Sequence, residues 1–132
     1  MRLRARFRPH EHVRARQIFQ QVFAQRRAVS DSTLVVHALS NGLSCARLGI
    51  SVPRRVTRHA VVRNRLKRLV REAFRIHKGE IPIGFDLIVV PRRSDLSAVA
   101  VVSSLRSLAP DAVRRASKET LRTPPAAKDP TP

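Results

Sequence analysis

Ala60-Val61-Val62-Arg63-Asn64-Arg65-Leu66-Lys67-Arg68-Leu69-Val70-Arg71-Glu72-Ala73-Phe74-Arg75 is the stretch on which the reading of this chain turns. At about 100° per residue, Val62, Leu66, Leu69, Val70, Ala73, Phe74 and Ile76 make one continuous apolar stripe, so the spacing predicts a helix over Ala60–Lys78. Opposite the stripe, Asn64, Lys67, Arg68, Arg71, Arg75 and Lys78 share one arc, with Arg63 and Arg65 on its two borders. Gly79 is placed to cap the carboxyl end. A solvated helix face ordinarily mixes signs, whereas Glu72 is the only acid between Asp31 and Glu80. Such a helix can dock on a sheet through its stripe and present arginine to phosphates. Its first turn adds free backbone N–H groups beside Arg63, Asn64 and Arg65, which favour an anion. Glu72, four residues after Arg68 and four before Ile76, is expected to pair within the helix.

Upstream, Pro53–His59 is a basic connection that carries Arg54 and Arg55. Cys45–Val52 alternates, with Ala46, Leu48, Ile50 and Val52 on one face and Cys45, Arg47, Gly49 and Ser51 on the other. That pattern predicts a half-buried antiparallel strand whose open face, at Gly49 and Ser51, is small and polar. Thr33–Leu39 is β-branched and apolar, hence a strand, and Ser40-Asn41-Gly42 is a turn signal. Earlier still, Glu11–Arg27 has helical spacing: Ala15, Ile18, Phe19, Val22 and Phe23 share one arc, with Phe19 and Phe23 stacked four apart along its edge. Residues 1–9 form a basic arm that ends at Pro9.

Downstream, Phe85–Val90 reads as a strand apolar on both faces, hence central. Ser94 or Asp95 caps a helix to about Ala109, with Ala98, Val101, Val102, Leu105, Leu108 and Ala109 inward. Pro110 is expected to interrupt it, and Asp111–Glu119 to add a turn or two. Residues 120–132 are read as a disordered tail, since the last ten hold four prolines. The resulting order is α-β-β-α-β-α: a single α+β domain over residues 10–119 with one small sheet.

The composition agrees with a polyanion binder. In 132 residues there are 27 Lys and Arg against nine Asp and Glu, a formal net charge of +18. Arginine supplies 23 of the 27, which suits bidentate phosphate contacts, although genomic base composition also favours arginine. A hydrophobic content of 42% is too high for a disordered basic tail. One cysteine excludes a disulfide framework and a Cys-based zinc site. No apolar run is long enough for a membrane span, and the Arg-rich first residues lack the apolar core of a secretory signal, so a cytoplasmic protein is expected.

A protein catalyst of phosphodiester hydrolysis needs clustered carboxylates, or a histidine pair with a cation. The nine acids are scattered, and His10-Glu11-His12 points its rings apart on a helix, so it reads as a solvated helix start. There is no phosphate-cradling Gly-rich loop and no nucleophile elbow. No catalytic residue and no metal site are assigned.

Residues 60–75 as quoted resemble the signature of the bacterial ribonuclease P protein component. Arg47-Leu48-Gly49-Ile50-Ser51-Val52-Pro53-Arg54-Arg55-Val56 is similar to the strand that leads into it, Ile18–Phe23 to the first-helix pattern, and Phe85–Arg92 to the later strand. The resemblance covers about residues 13 to 109, in the right order. It implies an α-β-β-α-β-α fold, similar to a domain of a small-subunit ribosomal protein, with a left-handed βαβ crossover against the usual rule. It also implies a catalytic RNA partner that performs Mg²⁺-dependent removal of the 5′ leader of precursor tRNA, with the Mg²⁺ bound mainly by the RNA. Carried onto this sequence, Arg54, Arg55, Arg63, Asn64, Arg65, Lys67, Arg68, Arg71 and Arg75 would bind the catalytic RNA. Phe19, Phe23, His37 and Ser51 would line the groove for the leader. His37 stands where the family often has an aromatic, and the connection before the helix lacks the family's usual glycine. No membrane and no obligate protein partner are expected. The rival readings are a ribosomal or RNA-assembly protein of similar fold, and a stand-alone nuclease.

Overall fold

The computed structural model of the chain describes residues 28–122, with side chains through residue 117. The expected helix over Glu11–Arg27, with Phe19 and Phe23, the arm before it and the tail after residue 122 lie outside the described residues. Within them run β1 (Ala28–Ser30), β2 (Leu34–Ser40), β3 (Arg47–Ile50), α1 (Ala60–Ile76), a 3₁₀ turn (Lys78–Glu80), β4 (Phe85–Pro91) and α2 (Ala98–Arg122). β1 is one strand more than the sequence suggested.

The strands form one sheet in the order β1-β2-β4-β3. β1 and β2 make an antiparallel hairpin, and β2 pairs antiparallel with β4 from Leu34↔Pro91 to Ser40↔Phe85. β4 is central, as its apolar run implies. β3 is not the antiparallel strand expected from its alternation: it pairs parallel with β4, Leu48 opposite Leu87 and Ile50 opposite Val89. Alternation reports only that one face of a strand is buried. It says nothing of direction, and the crossover through α1 fixes that direction as parallel. The Gly42 turn, at φ +70°, therefore carries the chain away from β2 instead of closing a hairpin.

Leu34, Val36 and Ala38 of β2, Leu48 of β3 and Leu87 and Val89 of β4 form the core face of the sheet. α1 packs there through Leu66, Val70, Ala73 and Phe74, and α2 through Val101, Leu105, Leu108, Ala109, Ala112, Val113 and Ala116. Each fully buried large side chain contributes about 1.5–3 kcal/mol.

Four local expectations are corrected. Ile76, placed on the stripe, is 51% exposed, because α1 ends there and His77 donates its backbone N–H to the Ala73 carbonyl as C-cap. Gly79 belongs to the 3₁₀ turn and does not cap α1. The cap of α2 is Ser97, whose Oγ accepts from the Ala100 N–H at 3.1 Å, and this leaves Ala98 exposed outside the core. Pro110 sits inside α2, which continues to Arg122.

Candidate nucleic-acid interface

The connection into α1 is built without glycine. Val56 and Thr57 donate their N–H groups to the Pro53 carbonyl, and Thr57 Oγ1 accepts from the His59 N–H at 3.2 Å. That turn leaves Arg54, Arg55 and Arg58 exposed. α1 then starts with an extended His59 that offers no side-chain cap, and its first turn carries no acid. Negative charge is the usual complement of a helix amino end, and the first turn of this helix supplies none, so its positive field is unanswered from within the helix.

Along α1 the buried side is Leu66, Val70, Ala73 and Phe74, and Asn64, Arg68 and Arg71 are exposed on the opposite side. Lys67 is half-buried at the border. Arg68 and Arg71 make no hydrogen bond or ion pair with another described side chain. Arg75 differs. Its Nε and Nη2 hold Glu72 at 3.2 and 2.5 Å, and that hydrogen bond keeps the Glu72 carboxyl below its usual range. The helix acid is therefore spent on Arg75, three residues on, and Arg68 keeps its charge.

Arg63 and Arg65 point along the protein surface toward backbone carbonyls. Arg63 Nη1 donates to the Val52 carbonyl at 2.5 Å, while Arg65 donates through Nη1 to Ser94 O at 3.4 Å and through Nη2 to Leu96 O. A carbonyl satisfies donors without cancelling charge, so both guanidinium groups remain net cations.

A second candidate region is the sheet face turned away from α1 and α2. It is not open as the alternation of Cys45–Val52 suggested: Ile88 is 0% exposed, Gly49 is buried, and His37 and Ser51 are half-buried. His37, Ile88 and Gly49 stand side by side there on β2, β4 and β3, and the Ser51 N–H extends the ladder to the Val89 carbonyl at 3.1 Å. Burial pushes the His37 imidazole below its usual pKa, which favours the neutral ring. At one end of this face Asp86, 1% exposed, accepts both Arg47 Nε and Nη2 at 2.7 Å and Asn41 Nδ2 at 2.9 Å. The hydrogen bond to Asp86 raises the Arg47 pKa further above neutral. The sequence reading missed this triad by treating Phe85–Val90 as uniformly apolar. The signal was present: one acid inside an apolar run, with Arg47 on the open face of the neighbouring strand. Phe19 and Phe23, expected beside His37 and Ser51, lie outside the described residues.

Among the described residues no three His, Cys, Asp or Glu side chains come together as a metal site. Asp31, Glu72, Glu80 and Asp86 each accept from protein donors. None of the described helices is long and apolar enough to cross a membrane.

A family model for ribonuclease P matches residues 7–121. The chain belongs to the ribonuclease P protein family. It is 44% identical over 87 residues to the ribonuclease P protein component of Thermotoga maritima, covering 66% of this chain and 74% of that one. With the ribonuclease P protein component of Syntrophobacter fumaroxidans it shares 40% identity over 111 residues, 82% of this chain and 92% of the other. The solved ribonuclease P protein of Thermotoga maritima superposes with a TM-score of 0.69 at 37% identity, covering 76% of this chain and 96% of that one. That of Staphylococcus aureus gives 0.68 at 30% identity, over 77% and 94%. The α+β fold with its mixed four-stranded sheet is thus the ribonuclease P protein fold.

Proposed function

We propose that this ribonuclease P protein component binds a catalytic RNA and the 5′ leader of precursor tRNA, and so supports Mg²⁺-dependent endonucleolytic removal of the leader. The observation that carries the reading is the outer face of α1, where Asn64, Arg68 and Arg71 stand exposed and the helix's single acid is engaged by Arg75. Lys67, Arg54 and Arg55 border that face, and Arg63, Arg65 and Arg75 complete the set assigned to the catalytic RNA. Cations here reduce the repulsion between two RNA strands. His37 and the small, polar Ser51, both half-buried, suit the floor of a groove for a single strand on this side of the sheet, with Phe19 and Phe23 as further stacking surfaces. Stacking tolerates any base, as a variable leader requires.

The hydrolytic step belongs to the RNA in this reading. The carboxylates whose side chains are described are engaged by arginines, a histidine, a serine, the Asn41 amide and backbone N–H groups, a donor set that does not fit a Mg²⁺ site, so the ion is assigned to the RNA. Residues 10–119 form the binding domain, with 1–9 and 120–132 as appendages, and the protein works in the cytoplasm without an obligate protein partner.

Reconstitution tests the proposal. The purified chain alone should leave precursor tRNA intact, and together with the cognate RNA and Mg²⁺ it should restore cleavage at near-physiological salt. In Phe19→Leu/Phe23→Leu, affinity of the complex for precursor tRNA should fall while affinity for mature tRNA holds. Cleavage by RNA-free protein, or equal loss for both tRNAs, would defeat the reading.

A further inference from the structure

Arg63 and Arg65 flank the exposed Asn64, and each reaches a different connection. β3 and β4 are parallel, so the chain leaves both at the same end of the sheet. The first connection carries Arg54, Arg55 and Arg58, the second Arg92 and Arg93, and all five are exposed; Arg93 Nε also holds Asp95 Oδ1 at 3.1 Å, an exposed pair that water screens. Arg63 holds the first at Val52 O and Arg65 the second at Ser94 O and Leu96 O.

The β4–α2 connection, residues 92–97, is tied at both ends. Arg92 donates its N–H to Thr33 O at 2.9 Å and its Nη1 to Asp31 O at 3.0 Å, and Leu96 is buried in the core. Arg65 is the tie between them that comes from α1. Its two acceptors are carbonyls two residues apart, each met by a different nitrogen of the planar fork, a spread that the single nitrogen of a lysine does not reproduce.

We propose that Arg65 is a positioning residue of the polyanion interface: it acts on RNA through the β4–α2 connection, holding Arg92 and Arg93 in register with the exposed face of α1. The proposal rests on the RNA-binding reading above. A point-charge phosphate contact would be kept by lysine; a bidentate one would be lost, but it would neither change exchange across residues 92–97 in the free chain nor couple to Arg92 and Arg93.

The test uses the full chain as Arg65→Lys and Arg65→Gln, each also in an Arg92→Gln/Arg93→Gln background. Amide hydrogen exchange of the free chain and affinity for the cognate ribonuclease P RNA are measured. Both single variants should speed exchange across residues 92–97 and, at unchanged melting temperature, weaken RNA binding to a similar extent, about tenfold. In the Arg92/Arg93 background the loss should shrink to less than about twofold, because the cations being positioned are already gone. Wild-type affinity in Arg65→Lys with a loss in Arg65→Gln would overturn the proposal, as would losses that simply add. Unchanged exchange in Arg65→Lys would overturn it and leave the RNA-binding reading standing. A wild-type chain that fails to bind the RNA would defeat that reading, and this inference with it.

Discussion

Arg68 and Arg71 differ from Arg47 in what their charge is for. The first two project from the exposed side of α1, away from the buried Leu66 and Val70, so their removal should cost the fold little. Arg68→Ala/Arg71→Ala should keep the wild-type melting temperature while the slope of log affinity for the RNA against log salt falls by about two. An unchanged slope would exclude this face from the contact. Arg47 balances a carboxylate that is itself almost wholly buried. Arg47→Ala strands that carboxylate, whereas Asp86→Asn leaves a partly exposed guanidinium that water can reach. Chemical denaturation should show the first costing about 3 kcal/mol and the second clearly less. The cations of α1 were legible in the sequence because a helix wheel assigns faces directly. For the Arg47–Asp86 pair the sequence showed each partner as an odd residue on its strand, but not that strands 39 positions apart would bring them together.

At the scale of elements, periodicity located β2, β3, β4 and both described helices, and local chemistry misplaced their ends. Pro110 shows why. Its missing N–H costs a helix interior about 3 kcal/mol, yet Leu108, Ala109, Ala112, Val113 and Ala116 continue one buried stripe across it. Burial of that stripe outweighs the lost bond, a comparison no single residue reveals. The β1–β2 hairpin has a comparable hidden support. The Asp31 carboxylate accepts the N–H groups of Thr33 and Leu34 at 2.8 and 3.0 Å and the Ser104 hydroxyl of α2 at 2.7 Å. Burial raises its pKa, and these bonds with the charge of Arg92 outweigh burial and hold it below the usual 3.8. A carboxyl with a depressed folded pKa stabilises above its unfolded value and loses that contribution as pH falls through the folded one. Stability should therefore drop below about pH 4 in the wild type, and Asp31→Asn should remove that part of the acid transition. A pH profile that Asp31→Asn leaves unchanged would assign the transition to other carboxylates. Ser104→Ala should cost about 1 kcal/mol at neutral pH.

For the molecule as a whole the decisive quantity is the formal net charge of +18. Cations gathered for a polyanion repel one another when it is absent, over a Debye length of about 30 Å at 0.01 M salt and about 8 Å at 0.15 M. The free chain should melt at a higher temperature as salt rises over that range, while affinity for RNA falls. Calorimetry and binding titrations in the same buffers would read the two trends. A melting temperature that falls with salt would mean that favourable surface pairs outweigh the repulsion. The charge and the α+β class were evident from composition and pattern. That β3 and β4 are parallel was hidden from the alternation of Cys45–Val52 and entered the sequence reading only through the family resemblance with its βαβ crossover. That two cationic connections meet at one end of the sheet came from the three-dimensional pairing.

The central place of β4 also sets an order of events. β2 and β3 precede it in the chain but do not pair with each other, so each waits for residues 85–91 before it gains a neighbour on that side. During synthesis the β1–β2 hairpin is the only sheet the growing chain can close among these strands until Pro91 has emerged, and α1 has no complete floor to pack on. Assembly is then a late, concerted step with high contact order, slower than the chain's length alone suggests. A nascent chain stopped before Phe85 would expose the stripe of α1 beside its row of arginines, a species prone to capture by chaperones or by stray RNA.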